Sequence, residues 1–332
     1  MDVTRTDVIA VFDVGRSWKR FLLFDRNLQS VHTEEKIIGE TVGNDGKPAF
    51  DLQAIEQWML TSVSRVVSGE IYNLRALNLT AGEECLEELE KRLAKITESV
   101  TAGKAVFNGR GINSAVASLI PYLKGSERPF LLVSTGTSCT FMNPPETGSA
   151  ARSPIAAGRK PGNFRFPLGE IHDRNVMLLD DHFGVTGELY KTIKIKHKKV
   201  AKMQANRRGR VFFRHGIPGD LADTTADLSH FLTYADAYHQ MMYDLVDECL
   251  EAYRQVAPED GNKEIVYVTG GFARNDTFVR ILAARIPEKR VYASTIEHAT
   301  ALGAAIEVYP EAFSTELPPL WLGLKAILLR DE

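Results

Sequence analysis

The residues able to do chemistry gather at three glycine turns. The first is Asp13-Val14-Gly15-Arg16-Ser17-Trp18-Lys19-Arg20, in which an acid closes an apolar strand and a glycine is followed by three cations. A glycine lets backbone N–H groups approach a polyphosphate, cations neutralise it, and a carboxylate can hold magnesium directly or through water. An Asp-x-Gly turn also serves as an ordinary hairpin connection. The second turn, Ser134-Thr135-Gly136-Thr137-Ser138, offers hydroxyls and backbone donors around a glycine without charge. The third, Thr269-Gly270-Gly271-Phe272-Ala273-Arg274-Asn275, ends a strand in a double glycine and opens a capped helix, so its backbone can lie flat against a purine and ribose. Each of these two, taken alone, is also a plain tight turn.

The elements that must position these turns follow from periodicity. Val8 to Val14 and Phe21 to Asp25 are short apolar runs that read as a hairpin, with Val31 to Ile38 as a third strand. Asp51 reads as the N-cap of a helix whose Leu52, Ile55, Met59, Val63 and Val66 form one apolar stripe. Leu74 to Leu79 is a strand, Leu86, Leu89, Leu93 and Ile96 line one face of a helix, and a strand at Ala105 to Asn108 precedes a helix from Ser114 to Leu123. Three strands followed by helix, strand, helix, strand, helix suits a mixed sheet with helices on its faces. Phe130 to Val133 and Cys139 to Met142 repeat the opening hairpin. After a Gly/Pro-rich stretch from Pro144 to Pro167 come a long helix near Ser229 to Val256, a strand at Ile265 to Thr269, a helix capped by Asn275, a strand at Arg290 to Ala293 and a last helix from Glu297 to Val308. Two copies of one strand-helix plan, divided near residue 128, are expected.

Composition narrows the function class. A chain of 332 residues with 44% apolar and 25% charged residues can bury two ordinary cores. A net charge of -3 gives no global reason to expect nucleic acid or an anionic membrane, and a small-molecule ligand fits better. Cys85, Cys139 and Cys249 lack both disulfide pairing and metal-ligand spacing, which points to a reducing compartment. The start, with Asp2, Arg5 and Asp7, has no apolar signal core, and no apolar stretch reaches the ~18 residues that span a bilayer. A cytoplasmic location is expected.

Taken in order on a duplicated plan, the segments VIAVFDVGRSWKRFLLFD, FLLVSTGTSCTFMNP, IVYVTGGFARNDTFVRILA and ATALGAAIEV resemble the first phosphate, second phosphate, adenosine and second connecting motifs of FGGY carbohydrate kinases. They look closest to the branch holding L-fuculose and L-rhamnulose kinases, and the likeness covers residues 5–80 and 105–310. The resemblance implies an α/β fold of duplicated actin-like, ribonuclease H-like domains with an interdomain nucleotide cleft. Residues 1–128 would be the N-terminal domain with a shortened sugar-binding half, and 129–332 the ATP-binding domain. It implies ATP and Mg2+ as cofactors and a small-molecule sugar as substrate; the charge balance and the short apolar runs argue for no nucleic-acid or membrane partner, and a homodimer is the assembly to look for. Asp13 would organise magnesium, and Gly15, Arg16, Ser17 and Lys19 would surround the phosphates with Ser134, Thr135, Gly136 and Thr137. Gly270, Gly271, Phe272 and Asn275 would border the adenosine. Small Ala301, Gly303, Ala304 and Ala305 would let the last helix pack closely on a partner helix, a structural role.

Two departures bear on activity. Family members carry a long segment, much of the sugar pocket, where this chain has only Ala81 to Lys104. The family's Gly-x-His-Asp, whose Asp is the base toward the sugar hydroxyl, is replaced by Gly111-Ile112-Asn113-Ser114-Ala115, and counting back from Pro121 puts Ser114 at the base position with Asn113 beside it. An amide does not titrate and a serine hydroxyl needs activation of its own. General-base help is worth roughly 10² to 10⁴ in rate, whereas phosphoryl transfer rests mostly on positioning and charge neutralisation. Two readings follow: a slowed kinase, and a nucleotide-binding sensor or scaffold; an ATPase or a kinase of another acceptor is a third. Asp173 and Asp181 are substitute bases or else solvated surface acids. The basic run Lys191, Lys194, Lys196, Lys198, Lys199, Lys202, Arg207, Arg208 and Arg210 could bind nucleic acid or another polyanion, but without interleaved aromatic residues it reads first as a solvated face, and next as one lying near nucleotide phosphates.

Overall fold

The computed structural model describes residues 5–16, 18–43, 46, 48–101, 106–144, 162–205, 209–256 and 263–329. Among the sequence expectations, Ser17, Arg207, Arg208 and most of the Gly/Pro-rich stretch lie outside them.

The chain divides into two compact units, Met1–Gly125 with His298–Trp321, and Ser126–Glu297 with Leu322–Glu332. The first unit runs β1 (Thr6–Val14), β2 (Trp18–Phe24), β3 (Ser30–Ile37), β4 (Glu40–Val42), β5 (Pro48–Phe50), α1 (Leu52–Ser68), β6 (Tyr72–Ala81), α2 (Glu83–Thr101), β7 (Phe107–Asn108), β8 (Ile112–Asn113) and α3 (Ser114–Gly125). The second runs β9 (Phe130–Thr135), β10 (Cys139–Asn143), β11 (Gly162–Phe166), α4 (Leu168–Phe183), α5 (His197–Ala205), α6 (Tyr234–Val256), β12 (Ile265–Gly270), α7 (Asp276–Arg285) and β13 (Arg290–Ser294). Helix α8 (Ala299–Phe313) belongs to the first unit, and β14 (Leu324–Ala326) closes the second sheet.

The sheets have one plan. In the first the order is β3-β2-β1-β6-β7, with β8 also on β6, and in the second β11-β10-β9-β12-β13-β14. Each opens with a three-strand antiparallel meander whose first strand, β1 or β9, then pairs in parallel with β6 or β12. Parallel neighbours place their carboxyl ends side by side, and in open α/β sheets those ends are where ligands bind.

Local causes are visible in the helices. The Asp51 carboxylate accepts from Ala54 N at 2.9 Å and starts α1, a cap worth about 1 kcal/mol. Ile55, Met59, Val63 and Val66 of α1 and Leu89, Leu93 and Ile96 of α2 pack on Val8, Ala10, Phe12 and Val14 of β1. The opposite face of the same sheet, Ile9, Val11, Leu22 and Ala76, is covered by α3 and α8. This contact is why the sequential division at residue 128 does not hold for the C-terminal helix. A Cβ on Gly303 would stand 1.8 Å from Ala117 O, and Asn78 Nδ2 donates to Ala304 O at 2.8 Å, so the small residues of α8 let it lie directly on α3 and β6.

The second unit has its own core, built from Leu131, Val133, Phe141, Leu179, Met242, Leu245, Val266, Val268 and Phe278 among others. Within it, buried Asp244 of α6 accepts from Val211 N and Phe212 N at 3.0 and 2.9 Å and from Gln240 Nε2 at 3.0 Å, tying the segment after α5 to α6. Burial pushes its carboxyl up from 3.8 to about 6, against those hydrogen bonds. The basic run lies on and around α5. Lys191 pairs with Glu188, Lys199 with Asp236 and Arg210 with Glu248. Among the described residues no helix is long and apolar enough to cross a membrane.

Candidate functional site

In the first unit the polar residues stand in a row set by register. Asp13 pairs across β1–β2 with Arg20, Arg20 pairs across β2–β3 with Glu35, and Asp13 also faces Thr80 on the parallel strand β6. Thr80 and Ala81 in turn face Ile112 and Asn113 of β8. At ~4.8 Å per strand, Asp13 and Asn113 are about 10 Å apart along the carboxyl edge.

Asp13 is only 7% exposed. Its Oδ2 accepts from Thr300 Oγ1 at 2.9 Å and lies 3.7 Å from Arg20 Nη1, while no described residue donates to Oδ1. Burial raises its pKa, opposed by the Thr300 hydrogen bond and by the charges of Arg20 and His298. Arg20 is itself held by Glu35 Oε1 at 2.5 Å.

The neighbouring cations differ in posture. Arg16 is exposed, within 3.5 Å of Glu40 and 4.0 Å of Glu84. Lys19 is 1% exposed, and its ammonium donates to Arg16 O at 2.7 Å and Ile38 O at 2.9 Å. It braces the turn from inside, where burial lowers its pKa. Strand alternation explains this, because Lys19 shares its face with Phe21 and Leu23, which pack in the core against α1 and α2. Gly15 N closes the turn on Trp18 O at 3.0 Å, and a Cβ there would come within 2.9 Å of the same oxygen.

Asn113 and Ser114 sit where β8 gives way to α3. Asn113 Oδ1 accepts from Ala115 N at 2.9 Å, a local cap, and Ser114 Oγ accepts from Thr80 Oγ1 at 3.1 Å. Neither touches a carboxylate among the described residues. Asp173 and Asp181, the other proposed bases, are exposed on α4 of the second unit.

The second unit uses its glycine turns differently. Thr135 Oγ1 donates to Thr269 O at 2.5 Å and accepts from Phe272 N at 3.0 Å, stapling the end of β9 to the turn after β12. Gly270 adopts φ 85°, and a Cβ there would lie 1.8 Å from Thr135 O, so only glycine fits. Gly136 N bonds Ser138 O at 3.0 Å, and Thr137 O receives Gly169 N and Glu170 N from the start of α4 at 3.0 and 3.3 Å. A Cβ on Gly136 or Gly271 would meet nothing closer than 3.9 Å, so both turns are open on their outer side.

Four residues expected at the nucleotide thus face elsewhere in whole or in part. Besides Lys19 and Thr135, Phe272 is buried against His172 and Phe278. Asn275 caps α7 through Phe278 N at 3.0 Å and donates to Tyr238 OH at 2.7 Å. The exposed residues among those expected at the nucleotide are Gly136, Thr137, Gly271 and Arg16. Sequence reasoning missed Thr300, Gly169 and the acids Glu40 and Glu84 around Arg16. The small-residue stripe of α8 marked that helix as closely packed, but nothing in the spacing tied Thr300 to Asp13.

No family model matches the sequence, and no curated protein matches it. Solved structures do match. A carbohydrate kinase from Novosphingobium aromaticivorans aligns over 97% of this chain and 94% of its own, with TM-score 0.64 at 14% identity. Plasmodium falciparum glycerol kinase with ADP aligns over 94% and 91%, TM-score 0.60 at 9% identity. The activator of 2-hydroxyisocaproyl-CoA dehydratase from Clostridium difficile, with bound ADPNP, aligns over 92% and 96%, TM-score 0.53 at 13% identity. The chain therefore has the two-domain α/β fold shared by actin-like ATPases and sugar kinases.

Proposed function

We propose that this chain binds Mg-ATP and transfers its terminal phosphoryl group to a sugar hydroxyl, as a carbohydrate kinase related to the L-fuculose and L-rhamnulose kinase branch. The observation that carries the reading is the pair of open glycine turns of the second unit, with Gly270–Gly271 locked by Thr135 into a conformation whose outer side is bare. A flat backbone surface held rigid in advance suits a nucleotide base and ribose. The fold supports it, since structures sharing that fold include a glycerol kinase with ADP and an activator with ADPNP.

In the first unit the residues fit a magnesium nucleotide. No described cluster of three His, Cys, Asp or Glu could cage a metal. Magnesium needs no such cage, because it keeps several waters and binds through one or two carboxylates plus phosphate oxygens. Asp13, with Oδ1 taking no hydrogen bond from described residues, is such a carboxylate. Bound magnesium would neutralise charge that develops on the phosphates. Arg16 would leave Glu40 and Glu84 to meet phosphate oxygens, Gly15 and Gly136 would hold their turns closed through their own N–H groups, and Thr137 would add its hydroxyl. Lys19 contributes by holding the Gly15 turn rather than by touching ligand.

A second reading, a nucleotide-binding sensor or scaffold, is favoured by one observation: Asn113 and Ser114 are occupied as cap and hydroxyl pair, and neither can take a proton at neutral pH. A panel of ketoses and deoxy sugars with Mg-ATP separates the two. ADP release with one sugar supports the kinase; a nucleotide-induced rise in melting temperature with no ADP release across the panel supports the sensor; neither response contradicts both.

A further inference from the structure

We propose that Thr300 is a positioning residue for Asp13: its hydroxyl fixes the carboxylate by Oδ2 and so leaves Oδ1 for a hydrated divalent cation carried by the nucleotide. The proposal rests on the nucleotide reading above. Thr300 Oγ1 donates to Asp13 Oδ2 at 2.9 Å although the two residues are 287 positions apart in sequence. The other contact to that oxygen, Arg20 Nη1 at 3.7 Å, is longer, and Arg20 is drawn toward Glu35 at 2.5 Å. Thr300 therefore supplies the short hydrogen bond that fixes which way the carboxylate is turned.

The hydroxyl is itself fixed. On a helix the threonine hydroxyl is confined largely to two χ1 positions, so the backbone of α8 limits where Oγ1 can lie and the hydrogen bond to Asp13 selects between them. That backbone cannot shift, because one turn further on Gly303 abuts Ala117 O so closely that a Cβ would stand 1.8 Å away, and Asn78 Nδ2 holds Ala304 O at 2.8 Å. The small residues of α8 thus do more than permit close packing: they set the register that brings Thr300 to Asp13.

The test is calorimetric titration of the full chain with ADP, in saturating Mg2+ and in EDTA, for the wild type, T300V and T300S, with melting curves for each. Wild type should bind more tightly with Mg2+. T300V should keep its affinity in EDTA and lose most of the Mg2+ increment, about tenfold, as expected for one hydrogen bond to a charged group. T300S, which restores the hydroxyl, should restore the increment. If T300V melts below the titration temperature, T300A removes the same hydroxyl with less bulk and takes its place. A variant without the hydroxyl that keeps the full increment overturns the role of Thr300 and leaves the nucleotide reading standing. T300S behaving like T300V overturns the hydroxyl as the agent. A wild type that binds no ADP in either buffer overturns the nucleotide reading and this role with it.

Discussion

The two units share a sheet order but use their polar groups in opposite ways. At the carboxyl edge of the first, ionisable side chains dominate: Asp13, Arg20 and Glu35 lie across neighbouring strands, and Arg16 stands exposed beyond them. At the matching edge of the second, Thr135 and Asn275 bond to their own unit and the bare backbone of Gly136 and Gly271 is what remains outside. One plan can therefore present charge in one copy and shape in the other. Mutations in the first unit should change chemistry with little effect on folding, and mutations in the second should do the reverse.

The largest expected effect is on the shape side. G270A places a Cβ against Thr135 O and forces a non-glycine residue to φ 85°, so it should cost about 4 kcal/mol or more and show as lost soluble yield or a collapsed melting temperature. Wild-type-like melting would mean that the turn is not locked as described. On the charge side, D13N should lower sugar phosphorylation by roughly 10² to 10³ with the melting temperature little moved, the usual size for one electrostatic group at a transition state. A large melting shift with unchanged rate would reverse the contrast.

The contrast is sharpened by Asp244, a charge the second unit buries for structure. Its native carboxyl is raised to about 6 from 3.8, so the folded state holds the proton more tightly than the unfolded one. Its contribution to stability is therefore greatest at low pH and falls by about 3 kcal/mol as pH rises from about 4 to about 6. Urea unfolding should show that decline in wild type relative to D244N, with a constant difference above pH 6. Smallest is T135V, which removes two hydrogen bonds from the staple and should cost about 2 kcal/mol by denaturant unfolding, with T135S recovering most of it.

Much of the fold was legible because its helices carry their own signals. Asp51 and Asn275 are caps in sequence and in structure, and the stripes of α1 and α2 are the residues that pack. Helix α4 was not legible. It follows the Gly/Pro-rich stretch, starts at Pro167 without a side-chain cap, and buries His172 and Asn175 among its apolar residues, which blurs the period. The short β4 and β5 are largely exposed and carry no alternation to read. At the site, the glycine turns were legible as turns, and Gly270 is a position only glycine tolerates, whereas the direction of the side chains beside them was not legible. Strand parity would have turned Lys19 inward with Phe21 and Leu23. Nothing local could have linked Asp13 to Thr300, since that contact exists only once α8 has packed on the first sheet.

The most direct test of the central claim is hydrogen exchange of the full chain with and without Mg-ADPNP. Slowed exchange should appear together at the Gly15–Arg16, Gly136–Thr137 and Gly270–Arg274 turns, with the body of α5 unchanged. Binding that leaves those three turns exchanging as before, or protects the face around α5 instead, would contradict the account.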